Sequence, residues 1–237
     1  MENIKYRAVV TGATRGIGYA IAERLLQDGL EVIATGTKKN GKHPSGSSYY
    51  QVDFCDENST NKFINYLKKQ KINIVVNNAG INKIGKFSSI DINDFDRILR
   101  VNLRVPFQIC QAVIPYMENE GWGRIVNLSS VFGTISKEYR ASYSSSKFAL
   151  DGMTVALAAE LSDKGILANS VGPGIIDTEL TREVLGKSGI SELKARIPMK
   201  RLGQAKEIAS LVSWLVSNEN TYMTGQNLMI DGGFTRV

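Results

Sequence analysis

The sequence predicts an α/β fold: a single-domain, doubly wound parallel sheet of about seven strands flanked by helices. Short apolar runs alternate with amphipathic segments along the whole 237-residue chain, a pattern typical of strand–helix–strand units around a parallel sheet. The apolar runs are rich in valine and isoleucine, which suits strands buried on both faces. Length and composition, with 43% hydrophobic and 22% charged residues, are those of one globular domain over residues 1–237.

Seven segments have the composition of buried strands: Tyr6–Thr11, Glu31–Thr35, Tyr49–Phe54, Ile72–Asn77, Arg124–Ser129, Ile166–Val171 and Asn227–Ile230. The segments between them predict five helices, and in the last two the apolar residues recur at helical spacing. These helices are expected at about 16–28, 57–70, 92–119, 142–163 and 205–217.

Two stretches are expected to lack regular structure. Thr37–Ser48 is polar and rich in Gly, Pro and Ser, so the second connection between strands is predicted to be a loop instead of a helix. Thr178–Gly203 is charged, with scattered apolar residues. Because it follows the sixth strand, we expect it to form a substrate lid at about 178–203.

Composition argues against several classes of protein and site. Cys55 and Cys110 lack metal-ligand spacing and His43 is the single histidine, so we expect reduced thiols and no metal site. The net charge of +6 is dispersed and no groove-reading motif accompanies it, which argues against a nucleic-acid partner. No apolar run reaches the roughly 18–20 residues of a membrane span. The N-terminus leads straight into a strand, so a cytoplasmic protein is expected.

A glycine-rich turn follows the first predicted strand directly and leads into the amphipathic segment Tyr19–Leu26. Glycines let the backbone approach a pyrophosphate, whose charge is favoured by the N–H groups and dipole of the following helix. A turn between a strand and a helix therefore predicts dinucleotide binding far more strongly than glycines alone. The residues assigned to the cofactor here are Gly12, Thr14, Arg15, Gly16, Ile17 and Gly18.

The glycine spacing is Gly-x-x-x-Gly-x-Gly, which differs from the general Gly-x-Gly-x-x-Gly fingerprint. Further blocks follow in order: Asn77-Asn78-Ala79-Gly80, Asn102, Ser130, Tyr143-x-x-x-Lys147 and Pro173-Gly174. Together they resemble the short-chain dehydrogenase/reductase family, which implies a Rossmann fold across nearly the whole chain. The C-terminal third looks most like bacterial 3-oxoacyl-(acyl carrier protein) reductases of fatty acid biosynthesis, in Arg201-Leu202-Gly203, Thr224-Gly225 and Asp231-Gly232-Gly233.

The end of the second strand predicts NADP(H) as the cofactor. NAD-binding enzymes of this architecture usually place a carboxylate there for the ribose hydroxyls, but this chain has Gly36 followed by Thr37, Lys38 and Lys39. Together with Arg15, these cations suit a 2′-phosphate; alternatively they only decorate the surface. The resemblance implies further cofactor contacts at Asp53, Phe54, Asn77, Ala79, Gly80, Pro173, Gly174, Ile176 and Thr178, of which Asp53 would contact the adenine.

Tyr143 and Lys147 lie four apart in a predicted helix, so their side chains share one face. A nearby ammonium is expected to lower the pKa of the phenol from about 10 and bring proton transfer closer to neutral pH. Such a pair alone is commonly a surface pair; the resemblance implies that it is catalytic. Ser130 is expected to bond the substrate oxygen, and the family's serine-to-tyrosine interval selects it over Ser129. Tyr139 is excluded because no lysine follows it at this spacing.

Asn102 resembles the family's fourth catalytic residue, which holds a water in a proton relay behind the lysine. Pro106 lacks the N–H that would bond the carbonyl of Asn102 in an unbroken helix. We therefore expect a helix kink whose freed carbonyl binds the water. The alternative is that Asn102 only caps or packs.

The substrate is less clearly indicated. The leading prediction is a 3-oxoacyl thioester, with an acidic acyl carrier protein as partner, although the family's basic docking positions hold Lys164 and Gly121, so only one of the two is basic. Arg140 is unusual three residues before the tyrosine: it either pairs with Glu138 or points into solvent, or it receives a carboxylate or phosphate of a smaller substrate. The alternatives are an NADP-linked enzyme for a sugar or another small ketone or alcohol, and, remotely, a non-catalytic nucleotide-binding regulator.

The resemblance also implies a homotetramer, in which the helices that carry the asparagine and the tyrosine pair with their copies. These are the predicted helices at about 92–119 and 142–163, together with the end near Asp231–Val237.

Overall fold

The computed structural model describes residues 6–237, except for the side chains of Leu180, Glu183–Leu185 and Lys187. Seven parallel strands form one sheet in the order β3-β2-β1-β4-β5-β6-β7, which confirms the predicted fold class. The strands are β1 Arg7–Val10, β2 Glu31–Gly36, β3 Ser48–Gln51, β4 Ile74–Asn77, β5 Gly123–Leu128, β6 Ile166–Pro173 and β7 Asn227–Ile230.

Within residues 6–237, seven α-helices accompany the sheet: α1 Gly16–Gln27, α2 Glu57–Leu67, α3 Ile92–Leu99, α4 Val105–Glu120, α5 Ala141–Leu161, α6 Glu179–Arg196 and α7 Ala205–Val216. Alternate residues of a strand point to opposite faces, so the central strands contribute to two cores. On one face Ala8 and Val10 pack with α1 and α7. On the other face Val9 packs in the core formed with α2, α4 and α5.

The predicted helix at 92–119 is wrong as one helix. It is divided into α3 and α4 by a π turn over Arg100–Arg104, where the Val105 N–H bonds the Arg100 carbonyl five residues earlier. Pro106 stands at the start of α4, where its missing N–H is tolerated. The predicted interruption at Asn102 is therefore present, and it takes the form of a π turn, a device often found at functional sites.

The segment predicted as irregular at 178–203 is largely helical, because α6 occupies Glu179–Arg196. Its N-cap is Thr178, whose hydroxyl accepts a hydrogen bond from the Thr181 N–H at 3.2 Å. The helix is broken at Gly186, where φ is 61°. Two helical pieces around a glycine carry no continuous apolar periodicity, which is why the sequence pattern indicated a loop.

The connection between β2 and β3 is a loop, as predicted: the structure shows no helix between Gly36 and Ser48. β3 ends at Gln51, earlier than expected. The chain turns there because the Asp53 carboxylate accepts a hydrogen bond from the Cys55 N–H at 2.9 Å. None of the helices within residues 6–237 is long and apolar enough to cross a bilayer.

Candidate active site

A glycine-lined cleft lies at the carboxyl ends of β1 and β4. β1 pairs with β2 on one side and with β4 on the other, and ligands of open α/β sheets bind at such a reversal of strand order. The cavity measures about 450 Å³. Its lining includes twelve of the predicted cofactor residues: Gly12, Thr14, Arg15, Gly16, Ile17, Gly18, Thr37, Asp53, Phe54, Ala79, Gly80 and Thr178.

The glycine turn is held in shape by β4. Gly12 and Gly16 have φ values of 66° and 56°, which favour glycine. A Cβ at Gly18 would lie 2.4 Å from the Gly12 carbonyl oxygen, so α1 packs against the turn only without a side chain there. The Asn78 amide donates to the carbonyl oxygens of Thr11 and Gly12 at 2.9 and 3.1 Å. Asn78 was missed by the sequence analysis, although it stands inside a block that the resemblance used.

Other predicted cofactor residues lie outside this cleft. The Asn77 amide donates to Asn127 on β5 at 2.8 Å, so its side chain ties two strands together. Gly174 and Ile176 line a separate cavity of about 70 Å³ beside Asp231. Pro173 ends β6 and is buried. The cleft also includes residues that the sequence analysis did not assign: Gly36, Cys55, Asn78, Ile81, Val101 and Glu179.

The rim beyond β2 is basic. Arg15, Lys38 and Lys39 are exposed, and their side chains form no hydrogen bond or ion pair with the described part of the chain. The backbone of this rim is held from β3: the Tyr49 hydroxyl donates to the Lys38 carbonyl at 2.6 Å, and the Gln51 amide donates to that of Thr37 at 3.0 Å. The cations are therefore available to an anion at the end of β2.

Gly36 leaves no room for a carboxylate. A Cβ there would lie 2.3 Å from Thr14 Cγ2 and 2.9 Å from the Tyr49 hydroxyl. The acidic residue that favours NAD is thus excluded by packing as well as by sequence.

Ser130 follows β5, and Tyr143 stands in the first turn of α5. The Tyr143 ring is closely surrounded although part of its surface is accessible. Burial raises the pKa of the Tyr143 phenol, while a hydrogen bond with Ser130 and the charge of Arg140 act to lower it. The expectation that Lys147 brings this pKa below 10 is wrong for the protein alone. The Lys147 ammonium lies 5.6 Å from the centroid of the ring and donates instead to the Leu128 carbonyl at 2.7 Å.

Lys147 is buried, and burial lowers the pKa of its ammonium to about 8, while the charge of Asp151 acts to raise it. Asp151 lies one helical turn further, so Tyr143, Lys147 and Asp151 follow one another at intervals of four on α5. Its carboxylate accepts hydrogen bonds from Ser129 at 2.9 Å and from Asn227 at 2.7 Å. Asp151 was missed, although its spacing of four from Lys147 is visible in the sequence.

The two adjacent serines, Ser129 and Ser130, have different neighbours. Ser129 donates a hydrogen bond to Asp151, whereas Ser130 lies close enough to the Tyr143 phenol to lower its pKa. Ser130 is therefore the serine that shares a surface with the tyrosine, as its predicted role requires.

Asn102 lies in the π turn and is almost completely buried. Its amide donates to the Ile81 carbonyl at 2.9 Å and to Ser146 at 3.0 Å, and its oxygen accepts from the Ile81 N–H at 2.8 Å. A Cβ at Gly80 would lie 3.4 Å from Asn102 Oδ1 and 3.7 Å from Lys147 Nζ. The side chains of Asn102 and Lys147 therefore both lie next to Gly80.

The sequence matches the family described as enoyl-(acyl carrier protein) reductase over residues 12–235. It is 35% identical to the 3-oxoacyl-[acyl-carrier-protein] reductase of Salmonella typhimurium over 97% of both chains. The chain belongs to the short-chain dehydrogenase/reductase family. It is also 35% identical to the acetoacetyl-CoA reductase of Cupriavidus necator, covering 95% of this chain and 96% of the relative.

Solved structures of the same family superpose closely on this reductase. A gluconate 5-dehydrogenase from Burkholderia cenocepacia, in complex with NADP and tartrate, matches with a TM-score of 0.89 and 28% identity, over 98% of this chain and 96% of the other. Together with the relatives, it confirms the predicted family and class: the protein is an oxidoreductase that acts on CH–OH or C=O groups.

The structure excludes one of the expected roles of Arg140. Pairing with Glu138 is wrong, because no hydrogen bond or ion pair joins the Arg140 side chain to any residue that the structure describes. It is half-buried, and its guanidinium carbon lies 5.4 Å from the centroid of the Phe132 ring. Its positive charge acts to lower the pKa of the Tyr143 phenol.

Lys164 does not flank the mouth of its own site. It precedes β6, and Gly121 precedes β5, so both lie at the amino edge of the sheet, opposite Ser130 and Tyr143. The Lys164 ammonium is paired with Glu118 at 2.5 Å. Within one chain, the expectation of a basic docking residue beside the active site is therefore wrong.

Within residues 6–237, where side chains are described, no group of three or more His, Cys, Asp or Glu residues could hold a metal ion.

Proposed function

We propose that this chain is an NADPH-dependent reductase of ketones, with 3-oxoacyl thioesters as the leading substrate class. The observation that carries the proposal is the buried Lys147 ammonium, which lies 5.6 Å from the centroid of the Tyr143 ring, with Ser130 close enough to the phenol to lower its pKa. All three follow β5 or begin α5, at the same sheet edge as the glycine-lined cleft.

The cofactor is NADP(H), which the Burkholderia cenocepacia relative binds. The cleft fits this group, because the glycine turn presents backbone and the N-terminus of α1 to a pyrophosphate. Arg15 and Thr37, which line the cleft, and the exposed Lys38 beside them would hold the 2′-phosphate at the basic rim. When bound, NADPH supplies the hydride that is added to the carbonyl carbon.

The protein's own residues manage the proton. A raised pKa keeps the Tyr143 phenol protonated at neutral pH, so it can donate its proton to the carbonyl oxygen as negative charge develops there. Ser130 donates a hydrogen bond to the same oxygen. The Lys147 ammonium would stabilise the phenolate that remains. A water held by the main-chain carbonyl of Asn102 would then return a proton to the phenolate by way of Lys147. The product is the alcohol.

The substrate assignment rests on the relatives. Two of them are named for the reduction of 3-oxoacyl groups. One name gives acyl carrier protein as the carrier of the acyl group, and the other gives coenzyme A. A second candidate is a small ketone that carries a negative charge, favoured by the unpaired Arg140 guanidinium and by the likeness to a gluconate dehydrogenase.

The segment at 178–203 is the proposed substrate lid. Its two ends meet where Ile176 and Gly203 form a β-bridge, and α6 starts with Glu179 in the wall of the cleft. A helix that leaves and returns to one point can move over the mouth without disturbing the sheet.

The proposed assembly is a homotetramer. Large apolar side chains are exposed on α4 and α5: Phe107 by 53%, Phe148 by 48% and Val155 by 56%. Such surface on two neighbouring helices favours burial against a second copy. Light scattering on the purified protein tests the assembly, and a mass of one chain would contradict it.

The function is tested by NADPH oxidation with acetoacetyl-CoA, acetoacetyl carrier protein, small ketones with and without a carboxylate, and crotonyl-CoA. We expect ketones but not the crotonyl double bond to be reduced. Tyr143→Phe should lower kcat by roughly 10²- to 10⁴-fold with NADPH affinity unchanged. If no ketone supports NADPH oxidation while NADPH binds, the chain is a nucleotide-binding regulator and the proposal fails.

A further inference from the structure

Arg140 carries a charge that the protein leaves without a partner. Its Nε is buried and unbonded, and its side chain forms no hydrogen bond or ion pair within the described residues. Arginines elsewhere in the chain are mostly paired: Arg7 with Glu31, Arg24 with Asp28, Arg97 with Asp94, Arg182 with Asp177 and Arg201 with Glu207. A half-buried guanidinium without an anion is unfavourable for folding, because part of its hydration is lost and not replaced.

The backbone and one ring hold this side chain in place. Tyr139 has a φ of 66°, a conformation that residues other than glycine adopt at a cost, and its carbonyl accepts the Gly85 N–H at 3.3 Å. The next residue, Arg140, caps α5, and its own carbonyl accepts the Ser144 N–H at 2.8 Å. The guanidinium lies over Phe132 at 5.4 Å. Strain and stacking therefore place an unpaired charge in a defined position.

That position lies beside the catalytic residues Ser130 and Tyr143. Phe132 follows Ser130 by two residues, and its N–H donates to the Ser130 hydroxyl at 3.2 Å. The charge of Arg140 is close enough to the Tyr143 phenol to influence its ionisation. The residues that line the cofactor cleft follow β1, β2, β3, β4 and β6 or lie in the π turn between α3 and α4, and Arg140 is not one of them. A group bound by Arg140 would thus sit beside the reacting carbonyl, away from the nucleotide.

We infer that Arg140 is the receptor for a carboxylate of the substrate, so that this reductase selects ketones that carry a carboxylate close to the reacting carbonyl. The inference rests on the proposed ketone reduction, and of its two candidate substrate classes it favours the small charged ketones over the 3-oxoacyl thioesters. A guanidinium binds the two oxygens of a carboxylate through parallel N–H donors, and burial strengthens the pair. A thioester lacks this charge at the corresponding position, so it would leave Arg140 unpaired.

The test compares acids with their neutral esters: acetoacetate with methyl acetoacetate, and levulinate with methyl levulinate, each with NADPH. Wild type should prefer the acids. Arg140→Gln should lower kcat/KM for the acids by roughly 10- to 150-fold, mainly through KM, and change the esters by less than about threefold. Arg140→Lys should retain part of the preference, because it keeps the charge but not the paired donors. The ratio of acid to ester cancels any change that the variant causes in the Tyr143 proton transfer itself.

Lys137→Gln is the matched control, since Lys137 lies 6.0 Å from the same Phe132 ring but is exposed. It should leave the acid-to-ester ratio unchanged. Calorimetric titration of acetoacetate into the NADP⁺ complex, which needs no turnover, should show the same weakening in Arg140→Gln.

Each contrary result has a distinct meaning. If acids and esters lose activity equally in Arg140→Gln, or if wild type reduces acetoacetyl-CoA and the esters but not the acids, the carboxylate receptor is refuted while ketone reduction stands. A preference for ketones bearing a phosphate over those bearing a carboxylate also refutes it. If no ketone is reduced by wild type and acetoacetate does not bind, both proposals fail.

Discussion

The two halves of the active site are built from different material. In the cofactor half, after β1 and β4, the surface is largely backbone: the glycine turn, held by hydrogen bonds from Asn78 to Thr11 and Gly12. In the catalytic half, after β5 and along α5, the surface consists of side chains whose pKa values are shifted by burial, above all Tyr143 and Lys147. Backbone recognition depends on the shape of a short segment, whereas proton transfer depends on charges brought together from several elements.

The largest expected effect comes from removing the buried cation of the catalytic half. Lys147→Met should lower kcat by roughly 10²- to 10⁴-fold, since the phenolate of Tyr143 loses its counter-charge. It should also lower the thermal unfolding midpoint, because Asp151 keeps a half-buried carboxylate without a nearby cation. NADPH titration, kinetics and thermal melts measure the three quantities.

The double variant Lys147→Met/Asp151→Asn separates the two roles of this charge pair. It should recover part of the lost thermal stability without recovering activity. Recovery of activity together with stability would mean that Lys147 acts only as a structural partner of Asp151.

A change of cofactor preference probes the backbone half. Thr37→Asp adds a carboxylate to the basic rim beside Lys38 and should weaken NADPH binding by roughly tenfold or more, since like charges at close range are repelled strongly. NADH binding should change little. Gly36→Asp is unsuitable, because its side chain would collide with Thr14 and Tyr49. Thr37→Asn is the control without charge, and equal weakening of both dinucleotides in Thr37→Asp would contradict the assignment of the rim.

The pH profile tests Asp151 as a positioning residue. The pKa of the Lys147 ammonium is about 8, already lowered by burial, and the negative charge of Asp151 raises it. Asp151→Asn should lower that pKa further, so the protonated amine is lost at a lower pH. We expect the alkaline fall in kcat to move down by roughly half to one pH unit, with little change at low pH. A uniform loss of kcat at every pH would indicate only a packing defect.

The smallest effect is expected at the opposite edge of the sheet. Lys164→Ala removes an exposed partner of Glu118 and should alter thermal stability and acetoacetyl-CoA reduction very little, because exposed ion pairs contribute weakly. Activity with the carrier-protein substrate should also stay within about twofold for an isolated chain. A selective loss with that substrate would mean that assembly brings Lys164 to the active site of another copy.

Features set by a short segment were predicted from the sequence, whereas features that depend on distant elements were not. The strands and the glycine turn were predicted closely, since valine-rich runs and glycine spacing are local features. The helix at 92–119 and the loop at 178–203 were wrong, because a π turn at Asn102 and a kink at Gly186 interrupt the apolar periodicity that the prediction used. In the site, Asp151 and Asn78 were missed. Their roles depend on Ser129, Asn227 and Thr11, which are distant in the sequence.

The sequence by itself determined the α/β class, the cofactor turn, the family and the pair of Tyr143 and Lys147, because each of these is written within one or two neighbouring elements. Only the tertiary structure decided that Ser129 is bonded to Asp151, how far burial shifts the pKa of Lys147, and that Arg140 is left unpaired beside Phe132. The reason is physical: burial and the absence or presence of a counter-charge are properties of the whole packed chain, and they set the energies on which selectivity and proton transfer depend.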